Sequence, residues 1–571
     1  MIIDLRFKKK LNNKYENIFN SVSKDSIKSF HDFISELSKT DNLDWWFSSP
    51  ASRYTLSSPL FHHFCSFRFL VHLIKIKKIP KIIYIDSDAF YKIISKYLKN
   101  KNISIKVVNS NNYRLRFKRK INNTVTILNH LFYRLIQFYI CNFLIKFNLP
   151  KKNNELILID TYVFPNFIDK ERYYNNLIES LTKKDSNKIF FVPTIVMFNF
   201  SYLYDVYKVL KFSKKKFIIK EQFYTLRNIF YAINHFSRKR KLIIKDYKLF
   251  DINIKNLVIE ELKNDNLGFF SAVESFLTID FIKELKNKNI KISKAIDWFE
   301  NRAEDKAWNY SFNKYMPNVK TLSYRGMIPS NMLLSEQYTL KIEKQKGFLA
   351  NQIGVIGRDL IRESRKYNKL TNYIISPAFR FNHLWNNNKK DIINNKNNNN
   401  NNLKILIALP IVIEDSIKIL KLIDSVNLDN NYKIVKFYVK SHPTNIKYMK
   451  NYIYNNCSKK FIYLEDPIYK IFNRINLLIS GMSSVSLEGV ASNLPVIIIK
   501  SSSTLEYTTI PNHIPNNLYK ICNNIKDIKS SINFFITKIK KENIMSKKLS
   551  KSILINNFEK ISKRNIKEFI N

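Results

Sequence analysis

Short runs of β-branched and aromatic residues recur along the chain, separated by stretches whose apolar positions follow helical spacing. KIIYID ending at Asp86, ISIKVV ending at Val108, ELILID ending at Asp160 and KIFFVP ending at Pro193 form a first series. A largely helical middle follows. The pattern resumes with VKTLSY around Leu322, IGVIG near Ile356, LKILIALP ending at Pro410, KIVKFYVK ending at Lys440, FIYL ending at Leu464, NLLIS ending at Ser480 and PVIIIK ending at Lys500. Such runs alternating with helices predict parallel strands joined by crossover helices. Two series predict two α/β domains, residues 1–335 and 336–571, with the boundary between Ser323 and Gly354. The asparagine tract from Asn386 to Asn402 reads as a solvated loop inserted before the strand at Ile405. Two facing parallel sheets enclose a cleft, and open parallel sheets bind ligands beyond the carboxyl ends of their strands. Candidate chemistry is therefore sought just after strands.

A chain of 571 residues exceeds what one core usually serves, and 45% hydrophobic residues are enough to bury real cores. That excludes a disordered tail and a small disulfide scaffold. Only seven glycines occur, while Lys, Asn, Ile, Phe and Tyr are in excess. All five have AT-rich codons, so genome composition accounts for part of the formal charge of +50. A field of that size still attracts polyanions, anionic lipid head groups and nucleotides without choosing among them. Its basic residues run through the whole chain, unlike a dedicated nucleic-acid module, so no specific nucleic acid is expected. Cys65, Cys141, Cys457 and Cys522 are far apart and give no zinc or disulfide pattern, which fits a reducing cytoplasm. Charge at the N-terminus argues against a signal peptide. Ile127 to Leu149 is the nearest thing to a membrane span, but Arg134, Gln137, Asn142 and Lys146 interrupt it. It reads as an amphipathic helix packed on the protein's own core, with peripheral attachment to an anionic membrane as the alternative.

Three consecutive strand ends in the second series carry polar side chains. NLLIS leads into Gly481, Ser483 and Ser484 and then a helical pattern closed by Asn493 and Pro495. A helix N-terminus there favours a phosphate, although either serine also suits a plain helix cap. His442 follows a strand and precedes Pro443, which fixes the turn and presents the imidazole for hydrogen bonding or proton donation to a phosphate. A structural role for a lone histidine is the competing reading. Glu465 and Asp466 follow the next strand, where a carboxylate suits ribose hydroxyls or simply a solvated loop. Together these residues describe a nucleotide pocket.

His442-Pro443 followed by Ser483-Ser484 resembles the HP and SS motifs of bacterial sialyltransferases and related CMP-Kdo and capsule transferases of the glycosyltransferase B (GT-B) fold. Glu488-Gly489 to Leu494-Pro495-Val496 is similar to the GT-B helix ending E-G-x-x-x-G-x-P-V, with Asn493 in place of glycine; both residues tolerate a left-handed cap. AIDWFENRAEDKAWNYSF with KTLSYRGMIPS, and DWWFSSPASRYTLSSPLFHHFC, are similar to regions of bacterial O-antigen biosynthesis proteins. The resemblance implies two Rossmann-like doubly wound domains facing across a cleft. It implies transfer of a nonulosonic acid or Kdo from a CMP-sugar co-substrate to a surface-polysaccharide or lipid-linked glycan acceptor, inverting and in the cytoplasm. His442 would contact the CMP phosphate and serve as proton donor, Ser483 and Ser484 would bind phosphate oxygens, and Glu465 would hold the ribose.

A general base to deprotonate the acceptor should come from the N-terminal domain. Glu300 and Asp297, beside Trp298, Phe299 and Arg302, rank ahead of Asp160, Asp86 and Asp88, although a helix with its acids facing water would explain them equally. Ser49 and Arg53, in a segment with Ser48 and Ser52, are candidates for gripping a carboxylate on the acceptor or donor sugar. Asp86-Ser87-Asp88 spells DxD, but no obligatory metal is expected where a helix terminus and basic residues serve. The rival readings are the same fold with a UDP-sugar or CDP-glycerol donor, and a noncatalytic polyanion-binding protein.

Overall fold

The computed structural model describes residues 2–111, 113–150, 155–165, 167–169, 172–196, 198–265, 267–386, 402–428, 434–511, 513–540 and 544–571. Most of the Asn386–Asn402 tract lies outside them. Every run named above is a strand, and three parallel sheets collect them. Strands Ile2–Asp4, Ile82–Ile85 and Lys106–Asn109 form a small N-terminal sheet. A six-stranded sheet joins Leu156–Val163, Ile189–Ile195, Ile292–Trp298, Lys320–Arg325, Gln352–Val355 and Tyr373–Ile375. Its spatial order, counted along the chain, is 2-1-3-4-5-6. A second six-stranded sheet joins Asn402–Ala408, Ile434–Lys440, Phe461–Tyr463, Leu477–Ser480, Val496–Ile499 and Tyr519–Cys522 in the order 3-2-1-4-5-6. Helices cover both faces of these sheets, so apolar runs in their strands are buried along their length; all four residues of Val496–Ile499 are buried.

The sequence reading put 336–571 in the C-terminal domain, and the sheets divide the chain elsewhere. Gln352–Val355 pairs with Lys320–Arg325, and Tyr373–Ile375 pairs with Gln352–Val355, so both belong to the first large sheet. The second sheet begins only at Asn402, so the division between sheets falls across the asparagine tract. The chain's end returns to the first sheet: Phe569, on the helix Lys563–Ile570, packs 5.1 Å from Tyr324 and 5.2 Å from Phe379. Strands Ile2–Asp4, Ile292–Trp298, Tyr373–Ile375 and Tyr519–Cys522 escaped the sequence reading. The WFEN segment therefore starts at the end of a strand, not in a helix.

Local chemistry sets the helix ends. Ser87 accepts from the backbone N–H of Phe90 and opens the helix Asp88–Asn100. Asn493 adopts the left-handed conformation expected of it, with φ of 59°, and closes the helix Val485–Ala491.

Candidate active site

Strand order reverses at one point in each large sheet, and ligands bind where it does. In the C-terminal sheet that point lies between Asn402–Ala408 and Leu477–Ser480, which hydrogen-bond directly. The turn Gly481–Ser484 leaves it. Gly481 is buried there, and a Cβ would stand 3.1 Å from Pro410 Cγ and 3.2 Å from Ile419 Cδ1, so the absence of a side chain lets the turn pack tightly. Ser483 and Ser484 are half-buried. Ser484 makes no side-chain cap to its own helix; its hydroxyl donates to Glu488 Oε1 at 3.2 Å. The Ser483 hydroxyl accepts a long bond, 3.4 Å, from the Val485 N–H, and its carbonyl accepts from Thr509 Oγ1 at 2.7 Å. Ser483 thus meets the first amide of the helix, and Ser484 is engaged with Glu488.

His442 leaves the neighbouring strand, Ile434–Lys440. The Thr444 N–H donates to its Nδ1 at 3.3 Å, and the Thr444 hydroxyl lies 2.8 Å from the same atom. That assigns the proton to Nε2. Burial, with the charges of Arg172 and then Arg380, lowers its pKa to about 4. The imidazole is neutral at pH 7, which of the two roles expected from sequence suits hydrogen bonding through Nε2–H more than proton donation.

Arg172 and Arg380 come from the N-terminal side of the seam. The Arg380 guanidinium lies 5.6 Å over the Trp298 ring, and burial and Arg172 lower its pKa. Glu488, itself 5% exposed, acts on Arg380 and stands 3.2 Å from His383 Nε2. Arg172 lies over Phe164, Phe167 and Tyr173. Two guanidiniums acting on each other and on a neutral histidine are the kind of surroundings that suit an anion. A cavity of about 330 Å³ opens at this seam, lined by Phe164, Pro165, Phe167 and Arg172 on one side and Pro443, Thr444, Ile446 and Lys447 on the other.

The strand orders, the helix returning from the C-terminus and a cleft between the sheets make the fold GT-B. No family model and no curated protein matches the sequence. Among solved structures, the chain is similar to UDP-bound S. aureus MnaA at 11% identity and a TM-score of 0.40, over 73% of this chain and 95% of that one. It is similar to the wall teichoic acid polymerase TagF at 9% identity and 0.36, over 79% and 95%. The lipopolysaccharide outer core galactosyltransferase WaaB matches at 10% identity and 0.36, over 73% and 98%. These likenesses are low, and the architecture rests on the topology itself.

The other sequence candidates fall in different surroundings. Glu300 is half-buried at the N-terminal switch point; its Oε1 accepts from Trp298 Nε1 at 3.1 Å and its Oε2 lies 2.6 Å from Arg302. The next residue, Asn301, is buried with φ of 56°, a left-handed conformation held by Glu343 Oε2 at 3.1 Å. Asp297, the last residue but one of the strand Ile292–Trp298, is fully buried under Ser323 and Asn309, and burial with Asp160 nearby raises its pKa well above the usual carboxylate value. Enclosed by these donors and out of reach of solvent, Asp297 is not placed to take the acceptor's proton. Asp160, also buried, is pushed up to about 7.

Arg53 is likewise unavailable: its side chain is buried 2.8 Å from Glu343, in a cluster where Lys306 lies 3.2 Å from the same carboxylate. The Ser49 N–H donates to Asp265 Oδ2 at 3.2 Å. Glu465 stands 74% exposed, 2.6 Å from Lys450, which leaves the ribose role without support. In the DxD spelling, Asp86 accepts from the Phe7 N–H while Asp88 accepts from Asn109 and Asn111, so the two carboxylates serve different partners. Sequence reasoning passed over Arg172, Arg380 and His383, which lie in segments without a motif. Glu488 was visible only as part of the E-G helix ending.

Proposed function

We propose that the protein is a glycosyltransferase moving a nonulosonic acid or Kdo from its CMP-activated form to a surface-polysaccharide or lipid-linked glycan acceptor. The observation that carries this reading is the guanidinium pair Arg172 and Arg380 beside neutral His442, one strand away from the Ser483–Ser484 turn. Such a donor carries two anions, a phosphate and a sugar carboxylate, and the site offers two kinds of anion partner. The serine hydroxyls and the first amides of their helix suit the phosphate, and the arginines suit the carboxylate. His442 Nε2–H donates to a phosphate oxygen. As the bond from the anomeric carbon to phosphate oxygen breaks, CMP departs with the electron pair, stabilised by those donors. The acceptor hydroxyl attacks from the opposite face, inverting the centre, and Glu300 takes its proton. No step in this scheme calls on a metal.

Calorimetric titration of CMP, CMP-sugars, UDP and CDP tests this in salt high enough to screen the general field. Saturable CMP binding that is lost in Ser483→Ala/Ser484→Ala and weakened in Arg172→Gln is the expected result. UDP or CDP binding without CMP binding would move the donor to a UDP-sugar or CDP-glycerol. Salt-sensitive uptake of any polyanion, unchanged in these variants, would leave only the noncatalytic reading.

A further inference from the structure

The helix Tyr113–Tyr139 has two apolar sides. Ile127, Leu131, Leu135 and Phe138 pack on the protein's core, as the amphipathic reading expected. Phe117, Ile121, Val125, Leu128, Phe132 and Tyr139 are each between 47% and 56% exposed. Steps of three, four and seven residues place these six within an arc of about 80° on the outward side. The apolar surface widens across the neighbouring turn, where Phe200 is 44% and Tyr202 58% exposed and the Phe200 ring lies 5.9 Å from Tyr133. A contiguous apolar surface of this kind needs an occupant.

Charge selects one. From Ala89 to Asn154 the chain has no Asp or Glu and fourteen Lys or Arg, five of them between Arg114 and Lys120. A second copy docked through this helix would set one basic, acid-free segment against another. An anionic bilayer supplies both an apolar interior for the outward stripe and head groups for the cations. No described helix is long and apolar enough to cross a membrane, and this one is fixed to the core along its inner side. We infer that the helix Tyr113–Tyr139 lies in the plane of an anionic phospholipid bilayer, with Phe117, Ile121, Val125, Leu128 and Phe132 in the acyl boundary. The cleft would then work at the surface where a lipid-linked acceptor is presented.

Flotation of the full chain with vesicles of phosphatidylcholine alone, or with about a third phosphatidylglycerol, at low and high salt tests the inference, because salt screens charge attraction but not apolar insertion. The wild type is expected to float with the anionic vesicles and to stay bound in part at high salt. Ile121→Ser/Leu128→Ser/Phe132→Ser, which keeps every charge, is expected to partition at least tenfold more weakly. In an independent readout, the emission of Phe132→Trp should shift to the blue on vesicles and be quenched by brominated acyl chains. The inference falls if salt strips wild type and triple variant alike, if the inserted tryptophan reports water, or if light scattering finds a dimer that the triple variant dissolves while vesicles go unbound. Nucleotide titration of the triple variant should match wild type, so failure here leaves the donor-site reading untouched.

Discussion

Asp297 and His442 both sit near the ends of central strands facing one cleft, and their surroundings set their chemistry apart. Asp297 is enclosed by Ser323 and Asn309 with the acids Asp160 and Asp305 acting on it, and burial pushes its pKa up. His442 is half-buried among cations, and its pKa of about 4 leaves it without a second proton. On the N-terminal wall, buried carboxylates and cations engage one another: Glu343 holds Arg53 and Lys306, and Glu274 holds Arg134 and Lys220. At the seam, two arginines face a histidine, and Glu488 is the acid acting on Arg380. Buried cations paired with carboxylates are held in place, whereas cations in excess at a cleft suit an anion.

The largest effect should come from unbalancing the matched wall. Glu343→Ala leaves Arg53 and Lys306 buried without their carboxylate and should cost about 3–5 kcal/mol in denaturant unfolding. Asp160→Asn should act in the opposite direction. The folded protein holds that proton up to about pH 7, whereas the unfolded chain releases it near its ordinary value of 3.8. Asp160 thus favours the folded state most below pH 4, and this contribution is lost as the pH rises to 7. The asparagine should stabilise the protein by up to about 4 kcal/mol at pH 8 and by much less at pH 5.

On the receptor side, Arg172→Gln should weaken nucleotide binding roughly 10- to 100-fold, the worth of one charge-assisted contact, with little change in stability. In the same variant the His442 ring resonances should titrate above the value of about 4, because one of the two charges opposing protonation is gone. An unmoved titration would show that burial alone holds the imidazole neutral. Glu465→Ala should do least: its carboxylate is exposed against Lys450, so neither the unfolding midpoint nor CMP affinity should move.

Strands in continuous apolar runs were legible because both of their faces are buried. Ile292–Trp298 was not legible, since its sequence ISKAIDW carries Ser, Lys and Asp. Those polar groups are tolerated through partners distant in sequence, Ser323 for Asp297 and the Glu568 carbonyl for Lys294. The domain boundary was misplaced for a related reason: strands Gln352–Val355 and Tyr373–Ile375 look the same in sequence whichever sheet they join.

The local pattern by itself determined the parallel α/β architecture, the strand-end positions of His442, Ser483 and Ser484, and the left-handed cap at Asn493. These follow from side-chain shape and backbone preference within a few residues. Which polar groups remain available was decided by the tertiary structure alone. Arg53 lies 290 positions from Glu343, and Arg172 and Arg380 are 208 apart, yet folding buries the first against its carboxylate and brings the other two together. Charge acts through space and depends on burial, and neither is written in the order of residues along the chain.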